Sequence, residues 1–237
     1  MAVPAFRAAG AIAAGAAAGI TPLAPAGLAT NDIELLFCET ANQAVTLTTA
    51  NGFVEVTNLG TGTAGGADGT RITVFWRRWD GAAGDPVTSA PADHVIGRRT
   101  CYSGGITTGN PWDTFGTNAQ AATTAGSVTG ITTSVSDCLI VVAYTGALPD
   151  LTGTAEFSGQ TNANLSSLLE RTDNTRVSGN GGGLGASDGG MAIQGSTGAT
   201  TYTSATSTEK TNFVIALMGT TSARVSRVSP YPQYLAH

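Results

Sequence analysis

Apolar residues along this chain come in short runs and strict alternations, not at helical spacing. Ile33-Glu34-Leu35-Leu36-Phe37-Cys38 follows Asn31-Asp32, and it is too short and too bulky for an independent helix, so it reads as a core strand. Val45-Thr46-Leu47-Thr48 alternates, Asn51-Gly52 supplies a pair suited to positive φ, and Phe53-Val54-Glu55-Val56-Thr57 alternates again, which predicts a hairpin. Farther on, Ile72, Val74 and Trp76 share one face and Thr73, Phe75 and Arg77 the other, a strand with a polar-aromatic outer side. His94-Val95-Ile96-Gly97-Arg98 predicts another strand running toward Tyr102. Residues 138–144 and 212–218 are continuous, β-branched and apolar, as buried central strands are.

The punctuation between these runs is Gly, Pro, Asn and Thr. Residues 60–69 and Arg78-Trp79-Asp80-Gly81 read as loop and turn, and Asn110-Pro111-Trp112 as a turn. Residues 165–169 have room for one helical turn, and residues 179–190 are so rich in glycine that they are expected to form a loop. Short strands with turn signals and no intervening amphipathic helix predict an all-β fold, an antiparallel β-sandwich of jelly-roll-like form. The sandwich is placed at residues 31–219. Residues 1–30 are expected as an N-terminal arm that can add a first strand, and 220–237 as an extended C-terminal tail. Neither end has a periodic apolar face to offset backbone entropy of about 1–2 kcal/mol per residue, so both arms are expected to order only on assembly. The stretch from Arg7 to Ala26 imitates a signal peptide poorly, being alanine-based and broken by glycine.

Composition narrows the function. Only 11% of the 237 residues are charged and the net charge is −5, which argues against binding nucleic acid by phosphate neutralisation. No apolar stretch reaches the length of a membrane helix. Lys210 is the only lysine, and no phosphate-binding or Schiff-base motif surrounds it. Cys38, Cys101 and Cys138 are an odd set without short spacing, expected as free buried thiols made in a reducing cytoplasm.

Chemistry-bearing motifs are present but incomplete. Gly185-Ala186-Ser187-Asp188-Gly189 matches the serine-hydrolase pattern, yet glycine follows it where a helix is needed, and His237 is the only histidine downstream. Asp93-His94 contains the sole internal histidine, one ligand where a metal needs several. Carboxylates such as Asp80, Asp85, Glu156 and Asp173 carry no spacing that marks an acid pair. No catalytic, cofactor or metal site is therefore expected. Trp76, Trp79, Tyr102 and Trp112 are candidates for sugar stacking; Trp76 belongs to the core face, which leaves Trp79 and Trp112 as glycan contacts.

The segments Pro25-Ala26-Gly27-Leu28-Ala29-Thr30-Asn31-Asp32, continuing to Ala44, and Thr70-Arg71-Ile72-Thr73-Val74-Phe75-Trp76-Arg77-Arg78 resemble a group of tailed-bacteriophage virion proteins, minor structural or tail-fibre-like. Gly109-Asn110-Pro111-Trp112-Asp113, Leu168-Leu169-Glu170-Arg171-Thr172-Asp173-Asn174 and Gly179-Asn180-Gly181-Gly182-Gly183-Leu184-Gly185 extend the resemblance, which spans about residues 20–219. It implies a virion location and a structural role without an active site. Within that class the expectation is a capsid decoration (cement) protein that binds the major capsid protein and copies of itself, as a trimer by capsid geometry. Phe6, Arg7, Arg224, Arg227, Tyr231 and Tyr234 of the arms are its expected assembly contacts. The alternative is a tail-fibre or baseplate module holding host surface glycans through Trp79 and Trp112.

Overall fold

The computed structural model describes residues 3–149 and 156–220. In chain order the strands are β1 (Ala5–Ala9), β2 (Ala13–Ala16), β3 (Ile33–Thr40), β4 (Leu47–Thr49), β5 (Val54–Thr61), β6 (Thr70–Arg78) and β7 (Val87–Thr88). They continue with β8 (His94–Ser103), β9 (Trp112–Val128), β10 (Cys138–Gly146), β11 (Phe157–Thr161), β12 (Ser166–Arg176), β13 (Gly182–Met191) and β14 (Thr200–Met218). No helix occurs among the described residues. The first sheet runs β1-β8-β3-β6-β5 with β2 also on β8; the second runs β11-β14-β10-β13-β12 with β9 also on β14. All pairings are antiparallel, so the fold is an all-β antiparallel sandwich.

The central core lies between the sheets. Ile33, Leu35, Phe37, Ile72, Val74, Ile96 and Tyr102 meet Leu139, Val141, Ala143, Leu184, Ala186, Phe213, Ile215 and Leu217. The alternation predicted for residues 72–77 holds, but its second face is not an outer one. Thr73, Phe75 and Arg77 are buried, because Ile20, Val45 and Phe53 from the connections pack over Leu36, Cys38, Phe75 and Val95. The second sheet is likewise covered on its far side. There β14 shifts register against β9 between Thr203 and Thr208, and Tyr202 stacks on Tyr144 with ring centroids 4.1 Å apart. The central strands of both sheets are thus buried on both faces, which explains why β3 and β10 carry apolar residues at consecutive positions.

Three local expectations are corrected. Asn51 and Gly52 do form the positive-φ turn, at φ 45° and 82°, but the strands on either side do not pair: β4 joins β7 and β5 joins β6. Phe53 is the reason, since its side chain is buried over the outer face of β3 and β6 instead of continuing a ladder beside β4. Residues 166–176 form β12, not a helical turn. Most of the glycine-rich stretch is β13, a buried central strand. Its glycines are filled from outside: a Cβ at Gly183 would fall 2.4 Å from Leu148 Cδ1, and one at Gly185 2.0 Å from Tyr144 Cε2. Large side chains of neighbouring segments thus replace the missing ones.

The N-terminal segment is an edge of the first sheet. β1 and β2 both pair with β8, Gly10 N donates to Arg99 O at 2.9 Å, and Ala17 N to Asp93 O at 2.7 Å. Residues 5–9 and 13–16 thus add two strands to the first sheet. Backbone pairing and apolar packing both hold the segment: Val3, Phe6 and Ile12 pack against the central core and Ile20 lies in the outer cluster. The expected C-terminal tail lies almost wholly outside the described residues.

Candidate functional site

Two clusters of buried charge stand out. On the outer face of the first sheet, Glu34 of β3 lies directly opposite Arg77 of β6, with Arg99 of β8 on its other flank. Arg77 Nε donates to Glu34 Oε2 at 2.5 Å and Arg99 Nε to Glu34 Oε1 at 3.0 Å, and Arg99 Nη2 also reaches that oxygen. Arg99 extends to Asp85 Oδ1 and Pro22 O, while Arg77 donates to Asn51 O and Gly84 O. The Arg77 guanidinium stacks over Phe53 and Trp79, 4.5 and 4.7 Å from the ring centroids. These arginines act as pins, holding the covering loops through their carbonyls.

The second cluster joins the sheets at one end. His94 is fully buried, with Nδ1 2.5 Å from Asp93 Oδ1 and Nε2 2.9 Å from Glu39 Oε2. Thr70 Oγ1 donates to Glu39 and lies 2.9 Å from Thr145 Oγ1 of β10, which in turn bonds Thr211 Oγ1 of β14. Asn180, before β13, donates its backbone N–H and side-chain amide to Asp93. Burial alone lowers the His94 pKa, but hydrogen bonds and charge from Glu39 and Asp93 outweigh it and raise it to about 9. Burial raises Glu39 against the opposing pull of His94. A Cβ at Gly182 would sit 2.3 Å from Glu39 Oε2 and 2.5 Å from His94 Nε2, so the close approach of β13 requires glycine there. Among the described residues no group of three or more His, Cys, Asp or Glu has metal-binding geometry.

The other sequence candidates are dispersed. Ser187 is buried mid-strand in β13, its Oγ 3.1 Å from the Tyr144 hydroxyl; no strand-to-helix elbow presents it. Asp173 is pushed up to about 6 by burial while accepting from Phe157 N at 3.0 Å. Lys210 is buried and lowered to about 8 by desolvation, its ammonium donating to the carbonyls of Thr123 and Thr208. The three cysteines are free and buried, and burial raises the thiols of Cys38 and Cys138 to about 12.

Phe6 and Arg7 are engaged within the chain. Arg171 lies over the Phe6 ring at 4.2 Å, and Arg7 Nε contacts Asp32 at 2.6 Å. Arg224, Arg227, Tyr231 and Tyr234 lie outside the described residues. Trp112 meets Trp76 edge-on, at 4.9 Å and 89°, and Trp79 carries Arg77 on its face, so neither forms a coplanar stacking platform with the other indoles. Two grooves, of about 420 and 320 Å³, are lined by residues such as Met191 and Ile193, and Phe6 and Leu169; neither Trp79 nor Trp112 lines either one.

Sequence reasoning missed the Glu34–Arg77–Arg99 cluster, whose arginines lie 43 and 65 residues from Glu34, and two further features. Glu39 as the partner of His94 had a signal, a carboxylate closing an apolar run destined for the core. β9 had a weaker one: fifteen residues from Thr114 to Val128 without charge or proline. It pairs with β14 alone among the described residues, leaving its second edge open. Comparisons with protein families, with curated proteins and with solved structures find no match to this chain.

Proposed function

We propose that the chain is a bacteriophage virion structural protein, a capsid decoration protein that binds the major capsid lattice and stabilises the head. The resemblance of five segments to tailed-phage virion proteins supplies the context. The observation that carries the reading is the use made of the ionisable groups: Glu34, Arg77, Arg99, Glu39, His94 and Lys210 are all buried in bonds that tie strands, sheets and covering loops together. Such internal stitching suits a part that bears load, and the uncharged stretch from Thr114 to Val128 of β9 suits contact through backbone and small side chains.

Quantifying the chain in purified particles tests the proposal. Hundreds of copies per virion are expected of a decoration protein. A handful would instead favour a tail-fibre or baseplate module, and absence from particles would remove the virion reading altogether.

A further inference from the structure

The edge strands of the two large sheets are guarded, except for one segment of β9. β5 carries Glu55 and a register shift beside it; β12 carries Glu170, Arg171, Asp173 and Arg176 with two shifts; β1 carries Arg7 and a shift. β2 and β11 are only four and five residues long. Charges, irregularities and brevity are the usual means by which an edge is kept from pairing. β9 is 17 residues long and carries Asp113 near its start and three register shifts against β14, but its segment Phe115–Gln120 lies between the shifts, keeps unbroken register with residues 210–215 and carries no charge. Moreover, Phe115, Thr117 and Ala119 lie opposite Ile215, Phe213 and Thr211, which places them on the core side of the sheet, and yet all three are exposed, Phe115 by 40%.

We infer that β9 is a homotypic interface, where a second copy of this chain adds its own β9 antiparallel across a two-fold axis at Thr117. The axis stands perpendicular to the sheet, so opposed residues share a face and Thr117 meets its counterpart. Phe115 of each copy covers Ala119 of the other, and Gly116 faces Asn118. Charge selects the occupant. A two-fold brings each residue toward its own copy, so any charged position near the axis would face a like charge; the segment from Phe115 to Gln120 has none, whereas the chain as a whole carries −5. An unrelated partner would be free to use charge complementarity there. The result is a twelve-stranded continuous sheet spanning two copies, with the exposed core-side strip of β9 covered. This inference stands apart from the virion reading, since self-association is measured on the isolated chain.

The test is the mass of the purified full chain across a dilution series, by sedimentation equilibrium or light scattering. The parent is expected to approach twice the chain mass on concentration. The double variant Thr117→Lys, Ala119→Lys should remain at the single chain mass with its melting temperature kept, while Val54→Lys on the guarded β5 edge should dimerise like the parent. Amide exchange in the parent gives a second readout that needs no variant: protection at residues 115–119 should rise with concentration. A parent that stays monomeric, a folded double-lysine variant that still dimerises, or exchange at 115–119 independent of concentration would overturn the inference.

Discussion

Replacing Glu34 by Gln tests the claim that buried charge organises the outer face of the first sheet. Gln keeps the shape of Glu34 but changes what it offers to two arginines. In the parent, one carboxylate oxygen accepts from Arg77 Nε at 2.5 Å and the other from Arg99 Nε at 3.0 Å. The amide can accept on one side only; on the other its NH₂ faces a guanidinium, donor against donor. Side-chain exposures of 0% for Glu34, 2% for Arg77 and 0% for Arg99 leave no water to take over. Breaking a buried pair by removing one partner costs about 3–5 kcal/mol. At this chain size each kcal/mol lowers the melting temperature by about 2–4 °C, so a fall of roughly 6–20 °C is expected.

Urea unfolding followed by tryptophan fluorescence is the assay, with an unchanged slope showing that the same surface is exposed. Asp85→Asn is the internal comparison. Asp85 also contacts Arg99, but its side chain is 34% exposed, and solvent screening should hold its loss to about 1 kcal/mol or less. Equal losses for the two variants, or a Glu34→Gln chain within about 1 kcal/mol of the parent, would refute the reasoning. Nor should an apolar replacement of all three residues restore stability, because the carbonyls of Pro22, Asn51 and Gly84 would lose their donors.

Further outcomes follow from the other contacts. Because the folded His94 pKa is raised to about 9, its clamp is at full strength below about pH 6.5 and is lost as pH rises through about 9. Glu39, also raised, acts in the same direction, whereas Lys210, lowered to about 8, acts oppositely above that pH. The readout is therefore the difference between parent and His94→Gln unfolding midpoints, which should narrow from about pH 6.5 to 9; a constant difference would contradict the clamp. Gly185→Ala places a Cβ 2.0 Å from Tyr144 Cε2, on a ring stacked on Tyr202 and edge-on to Phe157. Overpacking of about 1–3 kcal/mol is expected in equilibrium unfolding, and parent-like stability would mean that the ring gives way.

What the sequence made legible were strands whose own side chains fill the core. Residues 33–38, 138–144 and 212–218 are apolar but for Glu34 and Asn212, and each lies in a strand buried on both faces. β13 was illegible because its packing is donated by others: Tyr144, Leu148, Phe157, Glu39 and His94 occupy the space beside its glycines. A scale that scores each residue on its own side chain finds only weak strand formers there. The same limit hid the candidate surfaces. Asp93-His94 was visible as a pair, but Glu39, Thr70 and Asn180 approach it from 55, 24 and 86 residues away from His94. Phe6 and Arg7 looked free because their partners, Arg171 and Asp32, lie 165 and 25 residues away in the chain. In this chain, then, residues with an obvious use in isolation are drawn inward by partners that only the fold supplies. The open edge of β9 shows in the sequence only as a stretch from Thr114 to Val128 without charge or proline.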